Sequence, residues 1–279
     1  MLRKFQVHRC ETVAEACALR GRHGEDAVVY AGGTELLLAM KMGLAHWPHL
    51  LDVKHIRELQ GISLDGDALV IGAAVTHHQL EADPLVAGRL PVLARLEAQV
   101  ANIRVRAAGT LAGNLAFAEP HADPPALLLA LGARLRLAGP DSARSLGLGE
   151  FLTGAYSTAL GEEEIITAIE VPLPGPQTRA SYLNFRVLER PTVGVAVVAQ
   201  VVEGRIVGEP VVVLGAINDV PTLVGAASLA GLEPGSAEAG SRLREAARAA
   251  SEPGPDLAGS AEYKTHLGGV IAARALAAV

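Results

Sequence analysis

Apolar residues recur along the first 55 residues with two periods, one typical of strands and one typical of helices. The pattern predicts strands at residues 5–8, 27–30 and 50–53 and helices at residues 13–20 and 36–41. Thr12, followed by Glu15, makes a capping box that sets the start of the first helix. Strands that alternate with helices favour a small, mostly parallel sheet, so this segment is predicted to be one α/β unit.

The segment that follows, up to residue 175, mixes both periods and contains several turn signals. An Asp-Gly-Asp sequence at residues 65–67 lies between two β-prone runs, which is typical of a hairpin over residues 64–71. Thr76 is placed to cap a short helix, and a Pro-Pro pair opens an apolar one. The pattern also predicts helices at 91–100 and 126–131, a Gly/Ala-rich loop at 107–118, and strands at 134–137 and 165–171.

A Leu-Pro-Gly-Pro stretch at residues 173–176 is typical of a linker, and the pattern beyond it differs. Three β-prone runs with short turns predict an antiparallel meander, and two Ala-rich helices follow. The runs are at residues 182–188, 195–202 and 211–217, and the helices are at 239–250 and 261–277. The predicted fold class is therefore α+β. Its first domain spans residues 1–175, in two segments of about 1–55 and 56–175, and a C-terminal domain spans 176–279.

Composition narrows the class of protein. Of the 279 residues, 50% are hydrophobic and only 3% aromatic, so alanine, leucine and valine must build most of the core. No run approaches the roughly 18 uninterrupted apolar residues of a membrane span. The first residues lead into no apolar signal-peptide region, so we expect a location in the cytoplasm or at the inner face of the membrane. A net charge of −6 argues against the basic surface of a nucleic-acid-binding protein.

Two cysteines, Cys10 and Cys17, limit the metal chemistry available to the chain. Neither a four-cysteine iron–sulfur or zinc site nor a disulfide framework can be built from them. Both are expected to be buried or half-buried thiols. Because adjacent side chains point in different directions, His77 and His78 are expected to begin a surface helix. No metal ligands and no catalytic acid, base or nucleophile are predicted.

A first glycine-rich segment lies between a predicted strand and a predicted helix, and it consists of Ala31, Gly32, Gly33, Thr34 and Glu35. Glycines let a backbone approach a ligand closely, and a helix N-terminus offers free N–H groups to a phosphate. Thr34 is placed to cap the helix or to donate its hydroxyl, and Glu35 is expected to face outward. The segment is neither a Walker A loop nor a G-x-G-x-x-G fingerprint, and it also fits a plain turn.

A second such segment begins at Gly109 and continues through Thr110, Leu111, Ala112, Gly113 and Asn114. Thr110 and Asn114 can donate hydrogen bonds from their side chains. Asp123, nine residues further on, can accept hydrogen bonds from a ribose or a flavin ring, or it can simply cap the helix that follows. Two segments of this kind about 80 residues apart suggest a long ligand that is held at two places, which is the shape of a dinucleotide.

These residues resemble the FAD-binding medium subunits of molybdenum hydroxylases, the family of the carbon monoxide dehydrogenase medium subunit and the xanthine dehydrogenase flavin domain. Residues 31–35 are similar to the family's A-G-G-[TH]-[DS], and residues 110–114 to its T-[IL]-G-G-N. Residues 102–109 resemble its Q-V-R-N-x-G lead-in, and residues 118–125 resemble its A-x-P-x-[AS]-D-x-P stretch. The similarity covers nearly the whole chain and reaches residues 260–264.

The resemblance implies two α/β subdomains with FAD between them, followed by a C-terminal domain with a three-stranded antiparallel sheet and a helical bundle. It implies a molybdenum-cofactor large subunit and a small [2Fe–2S] subunit as partners, arranged as a dimer of heterotrimers. Electrons would pass from molybdenum through the clusters to the FAD, and then to an external acceptor such as NAD or a quinone. The cofactor carries the redox chemistry, while the protein orients it.

Carried over residue by residue, Ala31, Gly32, Gly33, Thr34 and Glu35 would contact the pyrophosphate region of FAD. Thr110, Leu111, Ala112, Gly113 and Asn114 would hold the pyrophosphate or ribityl end, and Asp123 would contact the flavin. Ala112 replaces the first glycine of the second motif, so its φ is expected to be below zero. Many relatives place an Asp shortly after an Arg near the flavin, but Arg190 is followed by Pro191-Thr192-Val193-Gly194.

Two other interpretations fit part of the pattern. A stand-alone FAD-dependent oxidoreductase would need its own base for substrate chemistry, and the chain offers no convincing His or Glu constellation for one. A flavin-free binding module that kept the fold would show no flavin absorbance. The electron-transfer subunit is the reading that the two segments and their spacing favour.

Overall fold

A computed structural model describes residues 2–279, and the chain opens with a small parallel sheet. Its strands are β1 (Gln6–Arg9), β2 (Ala27–Tyr30) and β3 (His49–Asp52), and its helices are α1 (Val13–His23) and α2 (Leu36–Met42). β3 lies in the centre and pairs in parallel with β1 and β2. The predicted βαβαβ unit is therefore confirmed. Thr12 caps α1, because its Oγ1 accepts a hydrogen bond from the Glu15 N–H at 3.1 Å. Trp47, the single tryptophan, is half-buried in the connection that leads into β3.

Residues 62–172 build a second sheet, a small hairpin and a layer of short helices. The strands are β4 (Ile62–Asp65), β5 (Ala68–Gly72), β6 (Arg134–Ala138), β7 (Ala143–Gly147), β8 (Leu152–Gly154), β9 (Ser157–Thr158) and β10 (Ile165–Pro172). The sheet is antiparallel in the order β4-β5-β10-β6-β7, and β8 pairs with β9. The helices are α3 (His77–Ala82), α4 (Pro84–Arg89), α5 (Pro91–Glu97), α6 (Ile103–Ala108), α7 (Leu111–Phe117), α8 (Pro124–Ala130) and α9 (Leu148–Phe151).

The stretch 107–118, which the sequence predicts as a loop, is mostly helical. It contains the end of α6 and all of α7, joined through Gly109 and Thr110. Gly and Asn have low helix propensity, but Leu111 and Leu115 are fully buried, and burial outweighs propensity. Thr110 caps α7 by accepting a hydrogen bond from the Gly113 N–H at 3.0 Å.

The C-terminal part contains an antiparallel sheet of four strands, one more than the resemblance implies. The strands, in spatial order, are β11 (Thr178–Phe185), β12 (Val193–Val202), β13 (Arg205–Gly215) and β14 (Thr222–Val224). β14 pairs with β13 over only three residues, which is too short a run to give a strand pattern in sequence. Two long helices, α10 (Ala237–Ala249) and α11 (Ala261–Leu276), pack on each other, and α11 packs on β11 and β12.

Two apolar cores follow from this layout. The larger one is built mainly by residues 10–171 and includes Ala196 and Val213, so the C-terminal sheet contributes to it. The smaller one lies between that sheet and the helices α10 and α11. Leucine, valine and alanine dominate both, as the low aromatic content predicts. Among residues 2–279, no helix is both long enough and apolar enough to cross a bilayer.

Candidate functional site

A pocket opens beyond the carboxyl ends of β2 and β3, and its volume is about 510 Å³. In open sheets with parallel strands, ligands bind outside the carboxyl ends of the strands. Both glycine-rich segments line the pocket, the first through Ala31 and Gly32 and the second through Thr110, together with Ala108 directly before it. The structure therefore brings together two stretches that lie far apart in sequence.

The two segments touch directly at Gly32. A Cβ atom at this position would lie 2.2 Å from the carbonyl oxygen of Ala108 and 2.5 Å from the Cα of Gly109. No side chain fits at that distance, so a glycine is required for the two backbones to meet. Gly33 has a φ of +67°, and a Cβ there would lie 2.3 Å from the ring of Tyr30. The first segment is thus shaped by close approach and by a left-handed backbone.

Lys54 places a positive charge in the pocket. Its Nζ lies 3.1 Å from Asp52 Oδ2 and 3.9 Å from the centroid of the Tyr30 ring. Gln60 and Gln79 also line the pocket. No motif in the sequence points to these residues. The available signal was position, because Tyr30 ends β2 directly before the first glycine segment and Lys54 follows the end of β3.

Thr34 and Glu35 do not line this pocket. Glu35 is the N-cap residue of α2 and makes no side-chain cap, so the capping role considered for Thr34 is wrong. Instead, the Glu35 carboxylate accepts hydrogen bonds from Arg190 Nη2 at 2.9 and 3.1 Å. Arg190 also pairs with Glu119, which is 8% exposed and accepts a hydrogen bond from the hydroxyl of Tyr156 at 2.9 Å. Arg190 thus joins three segments of the chain.

The second segment places its residues on α7. The side chains of Leu111 and Ala112 face the core, so their contacts to a ligand would have to come from the backbone, and the Leu111 N–H already donates to Val75 O at 3.3 Å. Ala112 has helical backbone geometry with a negative φ, as expected from its replacement of a glycine. Gly113 is exposed, and Asn114 Oδ1 is buried without a hydrogen-bond partner. An acceptor of this kind needs a donor, and a bound group can supply one.

Asp123 begins α8, but its side chain does not cap that helix, so the simple capping role is wrong. Its carboxylate accepts hydrogen bonds from Tyr182 at 2.8 Å, Asn184 at 2.5 Å and Arg186 at 2.7 Å, all in or next to β11. Burial raises the pKa of Asp123, while Arg186 and the hydrogen bonds oppose that rise. Burial and the neighbouring Asp123 hold the pKa of Tyr182 well above its usual value.

His77 lies beneath the second segment and is buried, which corrects the expectation of a surface position. Its Nδ1 lies 2.5 Å from Glu97 Oε2, and its backbone N–H donates to Gly109 O at 3.0 Å. His78, by contrast, is 52% exposed and pairs with Glu81. The alternation of buried and exposed neighbours is what α3 imposes when it packs on α5 and α6.

The chain is similar to known proteins in both sequence and structure. The family described as the FAD binding domain in molybdopterin dehydrogenase matches residues 3–174. The carbon monoxide dehydrogenase medium chain of Hydrogenophaga pseudoflava is 37% identical over 279 residues, which covers 98% of this chain and 96% of the relative.

Two solved structures are similar over nearly their full length. One is carbon monoxide dehydrogenase from Hydrogenophaga pseudoflava lacking the Mo-pyranopterin moiety, with a TM-score of 0.95, 35% identity, and coverage of 100% of this chain and 98% of that one. The other is quinoline 2-oxidoreductase from Pseudomonas putida 86, with a TM-score of 0.94, 28% identity, and coverage of 99% and 96%.

The fold and the pocket therefore define an FAD-binding subunit of an oxidoreductase. The chain belongs to the family of FAD-binding domains in molybdopterin dehydrogenases, which confirms the resemblance and its cofactor. The glycine contact, the lysine in the pocket and the unpartnered oxygen of Asn114 all fit such a cofactor.

Proposed function

We propose that this chain is the FAD-carrying electron-transfer subunit of a heteromeric molybdenum hydroxylase. The observation that carries the proposal is full-length similarity to proteins named as medium chains, including the carbon monoxide dehydrogenase medium chain. Quinoline 2-oxidoreductase has the same fold, so the fold serves complexes that act on different substrates. The substrate is therefore proposed to bind in another subunit.

The proposed partners would carry the iron–sulfur clusters and the molybdenum cofactor. A small subunit with two [2Fe–2S] clusters and a large subunit with the molybdenum cofactor would complete a heterotrimer, and two heterotrimers would form a dimer. Cys10 and Cys17 are buried and unpaired, and burial raises the pKa of Cys10 to about 11. A [2Fe–2S] cluster usually takes four cysteine thiolates, so two cysteines are too few to hold one, which supports clusters in a separate subunit.

The proposed binding domain spans residues 1–175, with FAD between subdomains 1–55 and 56–175, and residues 176–279 form the C-terminal domain. Ala31, Gly32 and Thr110 lie in the pocket, and Lys54 is suited to a phosphate there. Gly33, Gly113 and Asn114 do not line the pocket and are proposed as further contacts next to it, with Asn114 Oδ1 free to accept a hydrogen bond from the cofactor.

Thr34, Glu35, Leu111, Ala112 and Asp123 remain proposed contacts from the resemblance. Bound FAD can take up two electrons and release them singly or as a pair, so it can link one-electron clusters to an acceptor such as NAD or a quinone.

The test is to express the chain with its two candidate partners and to purify the assembly. We expect one FAD per copy of this chain, iron and molybdenum only in the assembly, and reduction of the flavin when the substrate of the large subunit is added. The chain purified alone should be yellow and free of iron.

The control is the chain alone with the same substrate, which should leave its flavin oxidised. Flavin reduction by a substrate in the isolated chain would contradict the proposal and favour an independent oxidoreductase. Isolation without flavin and without partners would favour a binding module instead.

A further inference from the structure

Three histidines from three separate elements meet on the N-terminal parallel sheet. His8 lies in β1, His23 is the last residue of α1, and His49 is the first residue of β3. Gln6 pairs with His49 across the sheet, and His8, two residues further on, shares the face of Gln6. The register therefore places His8 and His49 on one face.

The geometry of the cluster is compact. One ring nitrogen from each histidine lies within 4.8 Å of the other two, and all three side chains are half-buried. His8 Nε2 lies 2.9 Å from His49 Nδ1, and the rings of His23 and His49 stack with centroids 3.9 Å apart. The three rings therefore form one compact cluster of imidazole nitrogens.

These distances approach those of a metal site. Zinc binds imidazole nitrogen at about 2.0–2.1 Å in tetrahedral geometry, which sets two ligating nitrogens about 3.3 Å apart. The His8–His49 separation of 2.9 Å is already close to that value, whereas the His23 nitrogen, within 4.8 Å of the other two, would have to turn toward them to share an ion. A water molecule would fill the fourth position. Imidazole is a ligand for zinc, copper, nickel and iron, whereas Mg²⁺ prefers oxygen.

We propose that His8, His23 and His49 form a site for a divalent transition-metal ion, and we choose Zn²⁺, which binds imidazole nitrogen, as the ion to test. This site lies apart from the FAD pocket and has no part in the electron path. Its role is structural, because the ion ties β1, the end of α1 and the start of β3 to one another. β3 also pairs with β2, and the first glycine segment begins where β2 ends.

The charges around the cluster set its pH response. Partial burial and the neighbouring rings of His49 and His8 lower the pKa of His23, and Arg22 acts in the same direction, while Asp26 opposes it. Because protons compete with a metal ion for ring nitrogens, metal affinity should fall as the pH is lowered.

The experiment uses the full-length chain, purified without a histidine tag and treated with a chelator. Titration with Zn²⁺ at pH 7.5, followed by calorimetry and by the melting temperature, should show one ion per chain and a rise of several degrees in Tm. Mg²⁺ should produce neither effect. His8→Gln and His49→Gln should weaken Zn²⁺ binding at least tenfold while leaving the flavin content unchanged.

His46 and His55 supply matched controls, since both are exposed histidines in the same subdomain and outside the cluster. His46→Gln and His55→Gln should bind Zn²⁺ as the unmodified chain does. If the strand variants fold poorly, His23→Gln at the helix end removes one ligand without touching a strand. Zinc binding that is absent from the parent chain, or that is equal in the parent and the cluster variants, overturns the proposal. Neither result bears on FAD.

Discussion

Gly32 shows how a single missing side chain shapes a binding site. The backbone of the first glycine segment runs against Ala108 and Gly109, at distances that exclude even a methyl group. The local sequence predicts a flexible turn, but its contact partner lies more than 70 residues away. The missing side chain at Gly32 therefore lets the two segments touch, in addition to giving the backbone conformational freedom.

Gly32→Ala should push the two segments apart and reduce FAD retention. The added Cβ would sit 2.2 Å from the Ala108 carbonyl oxygen, which is backbone and cannot rotate away. Overpacking of this kind costs about 1–3 kcal/mol of unfolding free energy. The flavin-to-protein absorbance ratio and urea denaturation measure both effects.

Gly88→Ala is the matched control, because Gly88 lies in α4 and a Cβ there would meet nothing within 4 Å. It should keep full flavin content. Its free energy of unfolding should rise by up to about 1 kcal/mol, because alanine has a higher helix propensity than glycine. Full flavin content and stability in Gly32→Ala would mean that the segments do not need to touch.

The helix α11 is held in place by a buried lysine that its helical sequence pattern does not indicate. Lys264 is 3% exposed, and its Nζ lies 2.6 Å from Asp256 Oδ2 and donates to Gly254 O at 2.9 Å. The ammonium group thus fastens the helix to the loop before it. The hydrogen bond from Lys264 holds the pKa of Asp256 below its ordinary value.

Asp256→Asn should destabilise the fold at neutral pH by about 1–3 kcal/mol, because a buried ammonium loses its charged partner. The pKa of Asp256 is lower in the folded chain, so its contribution is complete above the unfolded carboxyl pKa of about 4 and is lost as pH falls through the folded value. Urea denaturation at pH 7 and in acid should show a difference between parent and variant that shrinks in acid.

Glu252→Gln tests the same loop with an exposed carboxylate, and its unfolding free energy should stay within about 0.5 kcal/mol of the parent's. A deficit in Asp256→Asn that is equal at both pH values would show that packing, and not the ionised carboxylate, supports the helix.

The elements also show what sequence can and cannot predict. The parallel unit, the hairpin over β4 and β5, and the Thr76 cap were predicted, because each depends on residues close in sequence. The helix α7 was missed because its Gly and Asn residues favour a loop, while burial of Leu111 and Leu115 depends on distant packing. For the candidate site, both glycine segments contribute residues to the pocket, whereas the place of Lys54 in it and the Arg190 contacts depend on the tertiary fold.

For the whole molecule, Arg190 is the clearest link between distant parts of the chain. It follows β11 in the C-terminal part and pairs with Glu35 before α2 and with Glu119 before α8. The sequence analysis noted only that no carboxylate follows Arg190. In the fold, the carboxylates come from two other segments instead.

Arg190→Gln should lower the unfolding free energy by about 1–3 kcal/mol, mainly because the buried Glu119 loses a charged partner. Arg190→Lys should recover only part of the loss, since one ammonium group cannot reproduce the fork of a guanidinium. Urea denaturation of the three chains gives the ranking.

Arg242→Gln is the comparison, because Arg242 forms an exposed pair with Glu238 on one helix, and such pairs contribute about 0.3–0.5 kcal/mol. An equally small effect at Arg190 would mean that the three segments are held by their apolar packing alone.

The position of Trp47 has a practical consequence for solution studies. It is the single tryptophan and lies beside β3. Tryptophan fluorescence therefore reports on the N-terminal sheet and not on the helices α10 and α11. A flavin in the pocket at the other end of β3 would accept energy from the indole, so loss of the cofactor should increase the tryptophan emission. Tryptophan emission can therefore report how much FAD the chain has bound.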